Sequence, residues 1–150
     1  CWAPCMAVSQ RAVDPTPEES LARLRQQFPF QGYIEQAEHR GITVAQMRGV
    51  LAFAEDICPQ ERPSFYDLDT WVIEPATNER RCAFVELLTS QGQQPEWFVS
   101  HYWGGAVEDL VVCAERHAQV RGLDEVSAPY WLEAFARRRE EEAKPEEAKS

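Results

Sequence analysis

Residues Glu96 to Gly122 read EWFVSHYWGGAVEDLVVCAERHAQVRG, and the change of period inside this stretch decides the fold. Trp97, Phe98 and Val99 are aromatic or β-branched, types that suit a pleated strand. After Gly104-Gly105, the apolar residues Val107, Leu110, Val111, Ala114 and Ala118 fall on one side of an α-helix. The reading is a short buried strand, a tight glycine turn and a helix to about Arg121 packed back on the strand. Such a unit opens an α/β sheet, whose loops at strand C-termini are the usual position for a ligand.

Downstream, Tyr130-Trp131-Leu132-Glu133-Ala134-Phe135-Ala136 suits either a second strand parallel to the first or the start of a helix. Upstream, Thr16-Pro17-Glu18-Glu19 is a helix entry with a capping hydroxyl, proline in the first turn and carboxylates at the positive end of the dipole. Its stripe is Leu21, Leu24 and Phe28. A short helix is expected over 31–40, closed by Gly41 as a left-handed cap. Thr43 caps a longer helix whose inner face is Val44, Met47, Leu51, Ala54 and Cys58, ending at Pro59. The run SFYDLDTWVIEPAT fits a helical turn or a strand, and Arg80 to Leu88 reads as a helix. The expected architecture is a predominantly helical α/β domain over 17–136, with a small, truncated open parallel sheet. An extended arm over 1–16 and a charged flexible tail over 137–150 flank it.

With 150 residues, 44% of them hydrophobic, the chain can bury one core and not two. A formal charge of −10 opposes nucleic acid and anionic lipid, because neutralising phosphates takes a basic face. No run approaches the roughly 18 apolar residues of a membrane span. Partners are expected to be proteins, with peripheral membrane association the most a lipid surface would offer. The five cysteines, Cys1, Cys5, Cys58, Cys82 and Cys113, are odd in number and widely spaced. They read as reduced, mostly buried thiols in a reducing compartment such as cytoplasm or an organelle stroma. The Cys1 start points to a processed or partial chain, with Met6 a candidate start.

The segments Phe98-Val99-Ser100-His101-x-Trp103-Gly104, Cys113-x-x-x-His117 and Tyr130-Trp131 resemble a family of uncharacterised algal, particularly dinoflagellate, proteins, and the lead-in WVIEPATNERRCAFVE from Trp71 to Glu86 is similar too. The resemblance covers about 65–136, brings no activity with it and implies at most an organellar host such as a photosystem. Arg137-Arg138-Arg139 departs from that family's pattern. More remotely, the FVSH strand and its helix are similar to the opening of TIR domains, which implies self-assembly or NAD cleavage. The chain lacks a glutamate in the TIR catalytic context.

Three chemistries attach to these residues. His101, Cys113 and His117, with Cys82 as a fourth member, are soft and imidazole ligands of the kind that hold zinc, Cys113 and His117 being one helical turn apart. The same Cys113 with His117 or His101 as base would make a thiol hydrolase, although the flanking Asp109 and Arg116 give no clear activation. Gly104-Gly105 before a helix suits a phosphate, but Glu108 and Asp109 in the first turn would repel one. The acidic residues Glu55-Asp56, Glu61 and Asp67-Asp69 lack calcium-loop spacing. Against these stands a plainer expectation: rings of Tyr102 and Trp103, with His101 beside them, exposed on the loop as a protein contact. The reading is a non-enzymatic interaction domain or accessory subunit without cofactor.

Overall fold

A computed structural model describes residues 15–139. Most of the expected arm over 1–16 and most of the expected tail over 137–150 lie outside them. Strand β2 (Trp97–Val99), helix α5 (Val107–Arg121) and strand β3 (Pro129–Leu132) form one βαβ unit. β2 and β3 run parallel, with Trp97 opposite Tyr130, Phe98 opposite Trp131 and Val99 opposite Leu132. Parallel neighbours need a crossover connection, and the helix supplies it. On the other side of β3 lies β1 (Ile42–Thr43), antiparallel, giving the order β1-β3-β2. The YWLEAFA run is both things its pattern allowed. Leu132 ends the strand, and Glu133–Ala136 follows as the short helix α6.

The helical half is built on caps that the sequence announces. In α1 (Pro17–Gln27), Thr16 and Glu19 exchange side-chain and backbone bonds, and in α2 (Val44–Ile57), Thr43 and Gln46 do the same. Both the entry proline and the carboxylates of α1 sit in its first turn. In α2 the buried face is Val44, Met47, Val50 and Ala54, while Leu51 is only half-buried. SFYDLDTWVIEPAT is continuous helix: α3 (Phe65–Leu68), a π turn over Asp69–Ile73, and α4 (Glu74–Thr77). Pro75 has no N–H for the Trp71 carbonyl and its ring would crowd it, so a widened turn before it relieves the conflict.

Two expected helices do not form. Over 31–40 only Ala37–His39 is a 3-10 turn. Gly32 has φ +152°, and the backbone of this segment bonds outward instead of along a helix. The amides of Gln31 and Ile34 donate to the Glu86 carbonyl (3.1 Å) and carboxylate (2.5 Å). The carbonyls of Ile34 and Glu35 accept from the Arg40 guanidinium (2.8 and 3.2 Å). Gly41 is no left-handed cap. The helix-ending glycine with that conformation is Gly122, at φ 64°. Between Arg80 and Leu88 the chain turns sharply at Arg81, a non-glycine at φ 51°, leaving a 3-10 turn over Phe84–Leu87.

A run of rings threads the core. Phe53 and Phe84 each meet Phe28 at 5.1 Å, Phe84 meets Phe135 at 5.9 Å, Phe135 meets Phe65 at 6.4 Å, and Phe65 meets His101 at 4.2 Å. Aromatic pairs in tilted and edge geometries add to the area they bury. Beside this column is a charged knot. Glu86, fully buried, accepts from the amides of Ile34 and Ala83 and from both Nε (2.9 Å) and Nη2 (2.8 Å) of Arg138. Arg40, also buried, donates to carbonyls at both ends of the domain, including Ala136 at 3.2 Å. Residues 137–139, expected within the tail, are thus engaged: Arg138 with Glu86, Arg139 with Asp69, and Arg137 with Glu133.

Candidate functional site

The loop from Ser100 to Ala106 joins β2 to α5 and is fixed from below. Phe65 and Tyr66 donate their amides to the carbonyls of Gly105 (3.2 Å) and Trp103 (3.1 Å), and Gly105 closes a turn onto Tyr102 (2.9 Å). Neither Gly104 nor Gly105 has positive φ. At Gly104 a Cβ would meet only the ring end of Tyr102, 2.7 Å away, which can swing aside. The helix entrance is not a vacant phosphate cradle, because the Val107 amide donates to the Pro63 carbonyl (3.0 Å) and Arg62 pairs with Glu108 and Asp109.

Of the three loop residues proposed as a contact, Tyr102 is 78% exposed. Trp103 is half-buried, its ring set between Phe65 (6.3 Å), Tyr66 (5.9 Å) and His101 (5.1 Å). It forms one wall of a cleft of about 320 Å³ that also takes in Tyr66, Asp69, Cys82 and Glu133. His101 turns inward, stacked on Phe65, with Nδ1 sealed and unpartnered. Burial lowers its pKa from the usual imidazole value, with Glu133 opposing weakly.

The four residues with metal-ligand chemistry are dispersed. His117 belongs to a different cluster, its Nδ1 2.9 Å from the Tyr130 hydroxyl and its ring edge-on to Trp97 at 4.6 Å. Cys82 is 3% exposed and packed in the core. Among the described residues no group of three His, Cys, Asp or Glu could hold a metal ion. Cys113 is exposed one turn from His117, whose Nδ1 is engaged by the Tyr130 hydroxyl.

The thiols differ sharply in setting. Burial first, with Asp67 behind it, pushes the Cys58 thiol up to about 11; burial and Glu86 do the same to Cys82, also to about 11. Because the thiolate is the reactive form, peptide-resolved alkylation at pH 8 should modify Cys113 ahead of Cys58 and Cys82. Cys58 and Cys82 should react on the order of 100-fold more slowly from ionisation alone, until the protein is unfolded. Equal rates at all three in the folded state would contradict this packing.

The feature that pattern reading missed is Phe98. Treated as part of a buried strand, it is 68% exposed, with its ring 5.7 Å from Trp131. The alternation of strand side chains carried the signal: if Trp97 and Val99 face α5, the residue between them faces away. β2 is an edge strand, paired only with β3 among the described residues. Along it runs an apolar cleft of about 340 Å³, bounded by Trp97, Val99, Leu110, Cys113 and His117. An open row of backbone donors and acceptors beside apolar walls can take an extended peptide, which uses the same groups. No protein-family model, curated protein or solved structure matches this chain.

Proposed function

We propose that this is a non-enzymatic docking domain that receives an extended segment of a partner protein along the open edge of β2. The observation that carries the reading is the exposed Phe98 in the middle of an edge strand, flanked by the cleft over Leu110 and Cys113. Main-chain pairing would supply affinity and the cleft would select an apolar side chain at alternate positions. Tyr102, exposed at the end of the same strand, extends the contact. A chain of net charge −10 favours a partner segment with basic flanks. Membership of a larger assembly in a reducing compartment, with an organellar or photosynthetic host implied by the algal resemblance, belongs to the same reading.

The test uses a displayed library of random peptides selected on the purified chain. Selected peptides should alternate apolar and polar residues, carry Lys or Arg at their flanks and shift the amide resonances of residues 96–102. Phe98→Asp should weaken them at least about 30-fold, the effect of a binding hot spot of about 2 kcal/mol. It should leave the thermal midpoint nearly unchanged, since Phe98 contributes little to the core. Peptides that bind elsewhere, or equally well to the Asp variant, would refute the proposal.

A further inference from the structure

We infer that His101 is an acid-sensitive latch that holds the β2–α5 loop against α3. Its imidazole lies 4.2 Å from the Phe65 ring at 30° and 5.1 Å from the Trp103 ring, so the loop's one histidine is its anchor in the aromatic column. Nδ1 is sealed from solvent without an acceptor. With both nitrogens protonated, the Nδ1–H is a sealed donor without an acceptor and the ring carries a charge against apolar rings, both costly without partners. The groups packed around it offer little compensation. Glu133, opening α6, favours the charged ring, but it is engaged with Arg137. Asp67, on the helix that carries Phe65, is turned to the amide and hydroxyl of Ser64. Ser100, Tyr102 and Trp103 bring no charge.

The ring therefore leaves its box when protonated, and the loop leaves with it. Trp103 and the amides of Phe65 and Tyr66 lose their cover, because those amides bond the loop carbonyls. The direction follows from linkage. The neutral ring is favoured in the closed loop, so the latch holds fully above the ordinary imidazole value of about 6.5. Below it, the closed state weakens by about tenfold per pH unit until the closed-state pKa is reached. This is independent of whether a peptide docks on β2.

Two measurements on the intact chain decide it. Imidazole resonances should show His101 titrating below the ordinary imidazole value of about 6.5. Amide exchange at Phe65, Tyr66 and Gly105, corrected for intrinsic rates, should accelerate about tenfold or more between pH 7.5 and pH 5 while Val111 and Ala114 in α5 stay protected. His101→Phe, which fills the box with a ring that takes no proton, should abolish that acceleration. An ordinary or raised His101 pKa in the wild-type chain, or an acid response retained in the Phe variant, would overturn the inference. The titration stands even if the Phe variant packs poorly.

Discussion

Glu86→Ala is expected to cost about 3–5 kcal/mol, enough to leave a substantial fraction of the chain unfolded at 37 °C, where domains of this size hold only about 5–15 kcal/mol in reserve. Four donors converge on this carboxylate. Removing it strands the Ile34 and Ala83 amides without acceptors and takes from Arg138 its carboxylate partner. Glu86→Gln keeps the shape but not the charge and should cost less. Urea unfolding followed by tryptophan fluorescence measures both, and a change under 1 kcal/mol for the Ala variant would show the knot to be dispensable. Acid supplies the same test without mutation. Burial alone would raise the Glu86 pKa, but Arg138 and the two amides outweigh it and hold it below the ordinary carboxylate value. With the folded value depressed, the contribution is complete above about pH 4.5 and is lost as pH falls through the folded pKa. The wild-type stability curve should therefore be steeper below pH 4.5 than that of Glu86→Gln.

Two glycine-to-alanine changes should move stability in opposite directions. At Gly41 a Cβ would lie 2.5 Å from the Gln93 carbonyl oxygen and 2.9 Å from the Pro129 Cβ. Neither neighbour is free to retreat, for Gln93 is tied by backbone bonds to both His39 (2.7 Å) and Gly41 (3.0 Å), and Pro129 stands in register with Thr43. Gly41→Ala is expected to lose about 2–3 kcal/mol and roughly 4–12 °C in Tm. At Gly49, in α2, a Cβ would meet nothing within 4 Å, so Gly49→Ala should gain about 0.5–1 kcal/mol through helix propensity. Thermal scans of the pair measure both. A neutral Gly41→Ala would mean that the β1 junction is looser than its contacts require.

Local signals were readable where local chemistry decides the outcome. The strand–turn–helix from Trp97 to Arg121, the caps at Thr16 and Thr43, and the stop at Pro59 all rest on neighbours a few residues apart. The failures share a different cause. Gly41 looked like a cap because glycine after a helical pattern usually is one; its need is for room beside Gln93 and Pro129, far away in sequence. The segments 31–40 and 80–88 lack helices because their backbone groups bond to one another and to the side chains of Glu86 and Arg40. A clue was present in Cys82-Ala83-Phe84-Val85-Glu86-Leu87-Leu88, where one carboxylate sits in an otherwise apolar run and must be paired if buried. At the candidate site, Tyr102 is as exposed as its loop position implied, and Phe98 was hidden by treating the strand as uniformly interior. His101 and His117 are close in sequence, but they point into separate aromatic settings that spacing does not reveal.

The middle strand of the sheet comes after both of its neighbours in the chain. Until Pro129–Leu132 has cleared the ribosome, Ile42 and Trp97 lack the partner that both share at Tyr130, and the rims of the sheet wait on either side of a gap. The sheet thus cannot close until its third strand has been made, and such distant pairings form slowly. During that interval, apolar residues of β2 remain open to other chains, a window in which a chaperone or the proper partner would protect the nascent protein.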